Sequence, residues 1–108
     1  MKALGIVLCL TLLAPAALLA GHIYGTLRQN GQPVAGAGVT IAIAGRRYDA
    51  KTGTDGAYRV RVPETGRCTF VVSRNGQSGQ ADIDSYNDPV KYDFDLIPRP
   101  GGFTLRPR

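Results

Sequence analysis

Apolar side chains alternate with small or polar ones along much of the chain. The clearest runs are Val39-Ile41-Ile43, Tyr58-Val60-Val62 and Cys68-Phe70-Val72. Successive side chains of a strand point to opposite faces, so an alternation of period two predicts strands with one buried face. Segments rich in Gly, Thr, Pro and Asp separate these runs, at residues 52–56 and 63–66. Such segments are typical of turns between antiparallel strands.

Extended over the whole chain, the pattern predicts seven strands, at residues 22–28, 39–44, 46–51, 57–62, 67–74, 77–83 and 90–97. Asn30-Gly31 and Asn75-Gly76 supply hairpin turns, because Asn and Gly tolerate positive φ. No amphipathic helix follows residue 20, so we predict an all-β, seven-stranded antiparallel Greek-key-like β-sandwich. The predicted inward-facing side chains are Ile23, Leu27, Val39, Ile41, Ile43, Tyr58, Val60, Val62, Phe70, Val72, Phe94 and Leu96. The charged segment 46–51 and the polar segment 77–83 fit edge strands.

The first twenty residues differ from the rest. A short basic start, an apolar stretch and a small-residue segment ending at Ala20 form the layout of a signal peptide. Cleavage after Ala20 or after Ala16 both fit, and an uncleaved anchor is the alternative because residues 3–21 carry no charge. We therefore predict residues 1–20 as signal peptide, 21–98 as the domain and 99–108 as a basic C-terminal tail. The protein would then be secreted or periplasmic, and would contact a membrane only if the anchor is retained.

The turn and core residues resemble those of the carboxypeptidase regulatory-like domain. The segments that carry the resemblance are residues 25–27, 30–39 (Asn-Gly-Gln-Pro-Val-Ala-Gly-Ala-Gly-Val), 52–58 and 63–72. That family is a small transthyretin-like β-sandwich, close to the collagen-adhesin B-type repeats. The resemblance implies the fold, and it implies an accessory module rather than a defined activity. Gly53 stands where the family usually has Asp.

Charge and cysteine content exclude some function classes. The chain has 13 Lys and Arg against 8 Asp and Glu, a net charge of +5, which favours anionic partners. A pattern of interleaved aromatic and basic residues is missing, so we expect no nucleic-acid partner. Cys68 alternates in phase with Phe70 and Val72, which predicts a core residue, and an intermolecular disulfide is the alternative.

Two groups of side chains are candidates for ligand binding. Asp82, Asp84 and Asp88 form the densest group of oxygen ligands, so they are the candidate site for Ca²⁺. A weaker alternative is copper held by His22 and the amine of a new N-terminus at Gly21. Tyr48 and Tyr86, with Tyr24 as a further candidate, fall outside the core pattern and could stack on sugar rings.

Catalytic residues are scarce. His22 is the only histidine, and no serine lies in a Gly-x-Ser-x-Gly context. Transthyretin-like enzymes that hydrolyse purine-derived rings use several histidines, so that activity is not expected. We predict an exported, non-enzymatic module that acts by surface contact with an unknown envelope protein or glycan. The alternative is a carbohydrate-binding module.

Overall fold

A computed structural model describes residues 21–108, which form ten strands and no helix. The strands are β1 (His22–Gln29), β2 (Gln32–Pro33), β3 (Gly38–Ile43), β4 (Arg46–Lys51), β5 (Ala57–Arg61), β6 (Gly66–Arg74), β7 (Gln77–Ser85), β8 (Val90–Lys91), β9 (Phe94–Arg99) and β10 (Gly102–Pro107). Within this range no helix has the length and apolarity needed to cross a bilayer. The predicted signal peptide, residues 1–20, lies outside the described residues.

The first strand joins two layers. The large layer has the order β2-β1-β9-β10-β7-β6-β3-β4. In the small layer, β5 and β8 flank the first half of β1. The second half of β1 pairs instead with β2 and β9, so one strand belongs to both layers and the sheet curls around the core.

All twelve side chains that the alternation predicts to face inward are buried, none with more than 7% of its surface exposed. The ring of Phe70 is central, with centroids of Tyr58 and Phe94 at 5.2 and 5.0 Å. Val34, Ala37, Ile83 and Leu105 join this core, as does Cys68 in the position its phase predicts. Burying one such aromatic or branched side chain contributes about 1.5–3 kcal/mol. This core confirms the all-β sandwich fold class.

Three two-residue turns set the register of the large layer. The φ angles are 54° and 76° at Asn30-Gly31, 51° and 76° at Ala44-Gly45, and 52° and 77° at Asn75-Gly76. Positive φ at both positions defines type I′ turns, whose twist matches that of the flanking strands. The two Asn-Gly turns are where the sequence predicts them. Ala44 is unexpected, because a residue with a Cβ atom disfavours this conformation.

The strand count and part of the pairing differ from the prediction. The predicted strand 90–97 is two strands, β8 and β9, separated at Tyr92 and Asp93. The break occurs because Asp93 Oδ1 accepts a hydrogen bond from the Thr26 amide, so a side chain replaces the expected ladder partner. In addition, β1 pairs with β8 and β9 in parallel, and β7 meets β10 in parallel, so the sandwich is not purely antiparallel.

The last ten residues are part of the fold, so the segment predicted as a basic C-terminal tail at 99–108 is instead a strand of the sheet. β10 pairs with β9 over six residues, and Gly102 meets Ser78 of β7. Leu105 is 7% exposed, and Arg108 Nε lies 3.1 Å from Asp95 Oδ1. The turn before Gly102 therefore reverses the chain into a hairpin instead of ending the sheet.

Candidate functional site

The structure does not assemble the predicted calcium site. Asp82 and Asp84 lie on β7 and both face Arg67, at 3.9 and 3.2 Å, so their charges are paired with a cation. Asp88 lies in the loop before β8. Among residues 21–108, no group of three His, Cys, Asp or Glu side chains lies close enough to hold a metal ion.

The two predicted sugar-binding tyrosines have different surroundings. Tyr48 is half-buried on β4, and its hydroxyl donates to the Glu64 carboxylate at 2.7 Å. This hydrogen bond raises the pKa of Tyr48, and Glu64 also pairs with Arg46 at 3.5 Å. Tyr86 lies in the loop after β7 and is 51% exposed. Neither ring lines the pocket or the groove described below, whereas the third candidate, Tyr24, lines both.

β4 forms an open edge of the large layer. Its hairpin with β3 closes at the pair Ile43–Arg46, and in a two-residue hairpin this pair exchanges both hydrogen bonds. The peptide groups of Tyr48 and Ala50 therefore face β3, and those of Arg47, Asp49 and Lys51 face away from it. No other strand within residues 21–108 pairs with that side.

The second predicted edge, residues 77–83, is not an open edge. β6 pairs with all nine residues of β7. On the other side, Gly102 of β10 pairs with Ser78. Further along that side, the Tyr92 hydroxyl donates a hydrogen bond to the Asp84 carbonyl at 2.9 Å and accepts one from the Asp84 amide at 3.0 Å. Sequence alone missed this because Gly102 falls in the segment predicted as a tail, and nothing local shows that Tyr92 reaches β7.

The outer face of the small layer brings together residues that the sequence leaves unconnected. Tyr24 of β1 stands opposite Arg59 of β5 on one side and Lys91 of β8 on the other. Two residues before Tyr24, and therefore on the same face, His22 stands opposite Arg61. The sequence contains the signal that these side chains point outward, but only the pairing of β1 with strands far along the chain makes them neighbours.

A pocket and a groove follow this face. The pocket, of about 230 Å³, is lined by His22, Tyr24, Arg59 and Pro89. Tyr24 and Arg59 also line the adjoining groove of about 610 Å³, together with Lys51, Lys91 and Thr26 among others. His22 Nδ1 is buried without a hydrogen-bond partner among the described residues. We call this pocket and groove the basic groove.

The floor of the basic groove is fixed by a close backbone contact. The Tyr92 carbonyl oxygen accepts a hydrogen bond from the Tyr58 hydroxyl at 2.6 Å. It packs directly on Gly25, where a Cβ atom would lie only 1.9 Å away. Burial raises the pKa of Tyr58, and the negative charge of Asp93 adds to this, so the hydroxyl stays protonated as the donor.

Asp93 orients the lysine at the rim of the groove. Its carboxylate accepts hydrogen bonds from the Thr26 amide and hydroxyl at 2.8 and 3.1 Å, and lies 3.6 Å from Lys91 Nζ. Burial alone would raise the pKa of Asp93, but the two bonds from Thr26 and the charges of Lys91 and Arg108 outweigh it and lower the pKa. Asp93 therefore remains an anion that holds Lys91 in place.

The fold is shared with solved structures of low sequence identity. The 5-hydroxyisourate hydrolase of Klebsiella pneumoniae superimposes with a TM-score of 0.59 at 15% identity, covering 82% of this chain and 98% of the hydrolase. A chain of a type II cohesin–X–dockerin complex from Acetivibrio cellulolyticus superimposes with a TM-score of 0.52 at 14% identity. The superposition covers 79% of this chain and 56% of the chain from the complex. At these identities the likeness shows the fold alone.

The hydrolase corrects one prediction. We expected the protein not to be an enzyme, and this expectation is contradicted because a protein of the same fold is an enzyme. A β-sandwich of this kind therefore does not exclude catalysis.

Sequence comparison identifies the family. No curated protein sequence matches the chain. A family model, the carboxypeptidase regulatory-like domain, matches residues 22–96, from the start of β1 into β9. This match covers most of the chain and confirms the resemblance carried by the turn and core residues. The chain thus belongs to the carboxypeptidase regulatory-like domain family.

Proposed function

We propose that the protein is an exported interaction module that acts by contact with another component of the cell envelope, through addition of a partner strand to β4. Family membership supports a structural or interaction role. A chain of similar fold in a cohesin–dockerin protein complex supports it as well. Export is supported by the signal-peptide layout of residues 1–20.

The observation that carries the proposal is the open edge of β4. The amide and carbonyl groups of Arg47, Asp49 and Lys51 face away from β3, and all three residues are exposed. A row of free peptide groups is the template on which an extended segment of another chain adds by main-chain hydrogen bonds.

The charges along this edge favour an acidic partner. Arg47 and Lys51 make no ion pair with any residue in 21–108, whereas the Asp49 carboxylate already accepts a bond from the Thr40 hydroxyl at 2.6 Å. An added strand with acidic side chains beside Arg47 and Lys51 would gain cross-strand attraction. An added strand with basic residues there would be repelled. We therefore expect an extended acidic segment of an envelope protein.

Arg47→Pro tests strand addition directly. The Arg47 amide faces away from β3, so proline removes the outward donor without breaking the β3–β4 ladder. Arg47→Gln is the matched control, because it removes the charge and keeps the amide. Purified wild-type and variant proteins are used to capture partners from envelope extracts, and captured proteins are identified by mass spectrometry. We expect Arg47→Pro to abolish capture and Arg47→Gln only to weaken it.

Amide hydrogen exchange in the complex gives the second readout. Partner binding should slow exchange at Arg47, Asp49 and Lys51, and should leave Tyr48 and Ala50, which already face β3, largely unchanged. Capture that survives Arg47→Pro, or a complex in which these three amides exchange as in the free protein, would contradict the proposal.

Export is tested by mass and location. In fractionated source cells, we expect the protein in the periplasm or the medium, with a mass that corresponds to loss of residues 1–20. Loss of residues 1–16 would place cleavage at the alternative site. An intact chain in the membrane fraction would indicate an anchor, and an intact chain in the cytoplasm would refute export.

A further inference from the structure

We infer that the basic groove is a second, separate binding site, and that its ligand is a carboxylate-bearing carbohydrate. The groove lies on β1, β5 and β8, and only Lys51 at its rim belongs to β4. The inference therefore rests on residues other than those that carry strand addition.

Tyr24 provides the surface for a sugar ring. Its side chain is 39% exposed and lies at the junction of the pocket and the groove. A tyrosine offers an apolar ring face and a polar hydroxyl, which suits a sugar that has both apolar C–H faces and hydroxyl groups. Because Tyr24 stands on the central strand of the small layer, a ring stacked on it is accessible from both flanking strands.

The flanking cations define the charge of the ligand. Arg59 and Lys91 stand on either side of Tyr24, two strand spacings or roughly 10 Å apart at the backbone. A sugar on Tyr24 would therefore place substituents or neighbouring sugars near both cations. The guanidinium of Arg59 can form a two-pronged hydrogen bond to a carboxylate.

These cations exceed the nearby acidic groups. Arg59 and Arg61 are exposed and make no ion pair within residues 21–108. Lys91 is held by Asp93. An excess of positive charge around a concave, partly apolar surface attracts an anion and disfavours an uncharged sugar.

The same face fits other anions less well. Single-stranded nucleic acid binds to several aromatic side chains that stack successive bases, and Tyr24 is the only exposed aromatic residue that lines this groove. Peripheral membrane binding needs a broad apolar face next to the cations, which this face lacks. We therefore favour an acidic carbohydrate.

Calorimetric titration of the purified protein with trigalacturonate at low salt tests this inference, with uncharged maltotriose as the control ligand. We expect trigalacturonate to bind and maltotriose not to bind. Arg59→Gln and Tyr24→Ala should each weaken binding by roughly tenfold, the loss of one charge-assisted contact or one stacking surface. Tyr24→Phe, which keeps the ring, should bind nearly as wild type does.

Arg99→Gln is the matched charge control, because Arg99 is exposed at the end of β9 and lies outside the groove. It should leave the affinity unchanged. Amide chemical shifts recorded on the wild type should move at Tyr24, Arg59 and Lys91, a readout that needs no variant. The inference is overturned by no binding of trigalacturonate or by equal weakening in Arg59→Gln and Arg99→Gln. Tighter binding of phosphatidylglycerol vesicles or oligothymidylate than of the trisaccharide would overturn it as well.

Discussion

Two buried hydroxyl groups in this small core have opposite hydrogen-bonding status. Thr52 is 5% exposed, and its Oγ1 accepts a bond from the Ala37 amide at 2.9 Å. Ser85 is 1% exposed, and its Oγ has no partner among the described residues. An unpaired buried polar group lowers stability, whereas a paired one satisfies a donor that would otherwise be orphaned.

Thr52→Val and Ser85→Ala should therefore have different effects on the free energy of unfolding. Thr52→Val keeps the shape of the side chain but leaves the Ala37 amide without its acceptor, so we expect a loss of about 1–3 kcal/mol in the free energy of unfolding. Ser85→Ala removes an unpaired hydroxyl and should be neutral or slightly stabilising. Urea unfolding at neutral pH measures both, and equal losses would contradict this explanation.

A second prediction at residue scale concerns Asp93 and acid. Its pKa is lower in the folded chain than its ordinary value of about 3.9. The folded state therefore binds this proton less readily than the unfolded state, and the resulting stability is present above about pH 4 and lost as the pH falls through the folded value. Asp93→Asn should lower the urea midpoint at pH 7, and this loss should be smaller at pH 3.

Asp88→Asn serves as the control, since Asp88 is exposed and makes no ion pair within residues 21–108. Its effect should be small at both pH values. If Asp93→Asn lowered the urea midpoint equally at pH 7 and pH 3, the charge of the Asp93 carboxylate would not be the source of its stabilisation.

At the scale of elements, the β3–β4 hairpin contains the least suitable turn residue. Ala44 has a φ of 51°, a conformation that costs a residue with a Cβ atom roughly 1–2 kcal/mol and that Asn tolerates better. Ala44→Asn should therefore stabilise the protein by up to about 1 kcal/mol. Thermal unfolding measures the gain.

Asn75→Ala, in the equivalent position of the β6–β7 turn, is the reverse experiment. It should destabilise by a similar amount, because its φ of 52° is almost the same. If Ala44→Asn and Asn75→Ala changed the stability in the same direction, side-chain contacts and not backbone conformation would decide the stability of these turns.

Local pattern predicted most elements but not how they pair. The sequence pattern predicted the bounds of β3 to β6 to within one residue. It could do so because the side chains of each strand themselves indicate which face is buried. Val90, Tyr92, Phe94 and Leu96 keep that alternation through the break at Asp93, so nothing local signals two strands. The break depends on Thr26, 67 residues earlier.

The candidate site was less predictable for the same reason. The outward phase of Tyr24, Arg59 and Lys91 is visible in the sequence, but their alignment depends on the register of β1 against β5 and β8. Asp82 and Asp84 do share a face, as predicted, and the cross-strand neighbour Arg67 changes their role. No local pattern in a single sequence indicates which distant strands pair or in which register.

At the scale of the whole molecule, the fold depends on its last strand. A chain that ends at Arg99 would leave the edge of β9 open and would lack the buried Leu105. That burial is worth about 1.5–3 kcal/mol and each lost ladder bond about 0.5–1.5 kcal/mol, against a total stability of about 5–15 kcal/mol for a typical domain. We expect no cooperative thermal transition for this truncated chain, monitored by circular dichroism.

The control chain ends at Pro107 and lacks only Arg108. It loses the half-buried ion pair with Asp95, a hydrogen bond from Arg108 to the Thr26 hydroxyl and one from the Arg108 amide to the Asp93 carbonyl, each worth about 0–1.5 kcal/mol. It should still melt cooperatively, at a temperature a little below that of the wild type. A cooperative transition in the chain ending at Arg99 would show that β1 to β9 are sufficient.

The position of β10 has a consequence for the timing of folding. β1, near the start of the chain, pairs with β9, whose other side is completed only by the final residues. During synthesis β1 can pair early with β2 and β5, but the large layer closes only after β9 and β10 have been made, and contacts between such distant segments form slowly. A nascent chain would therefore complete the core of this domain only after β10 has been synthesised.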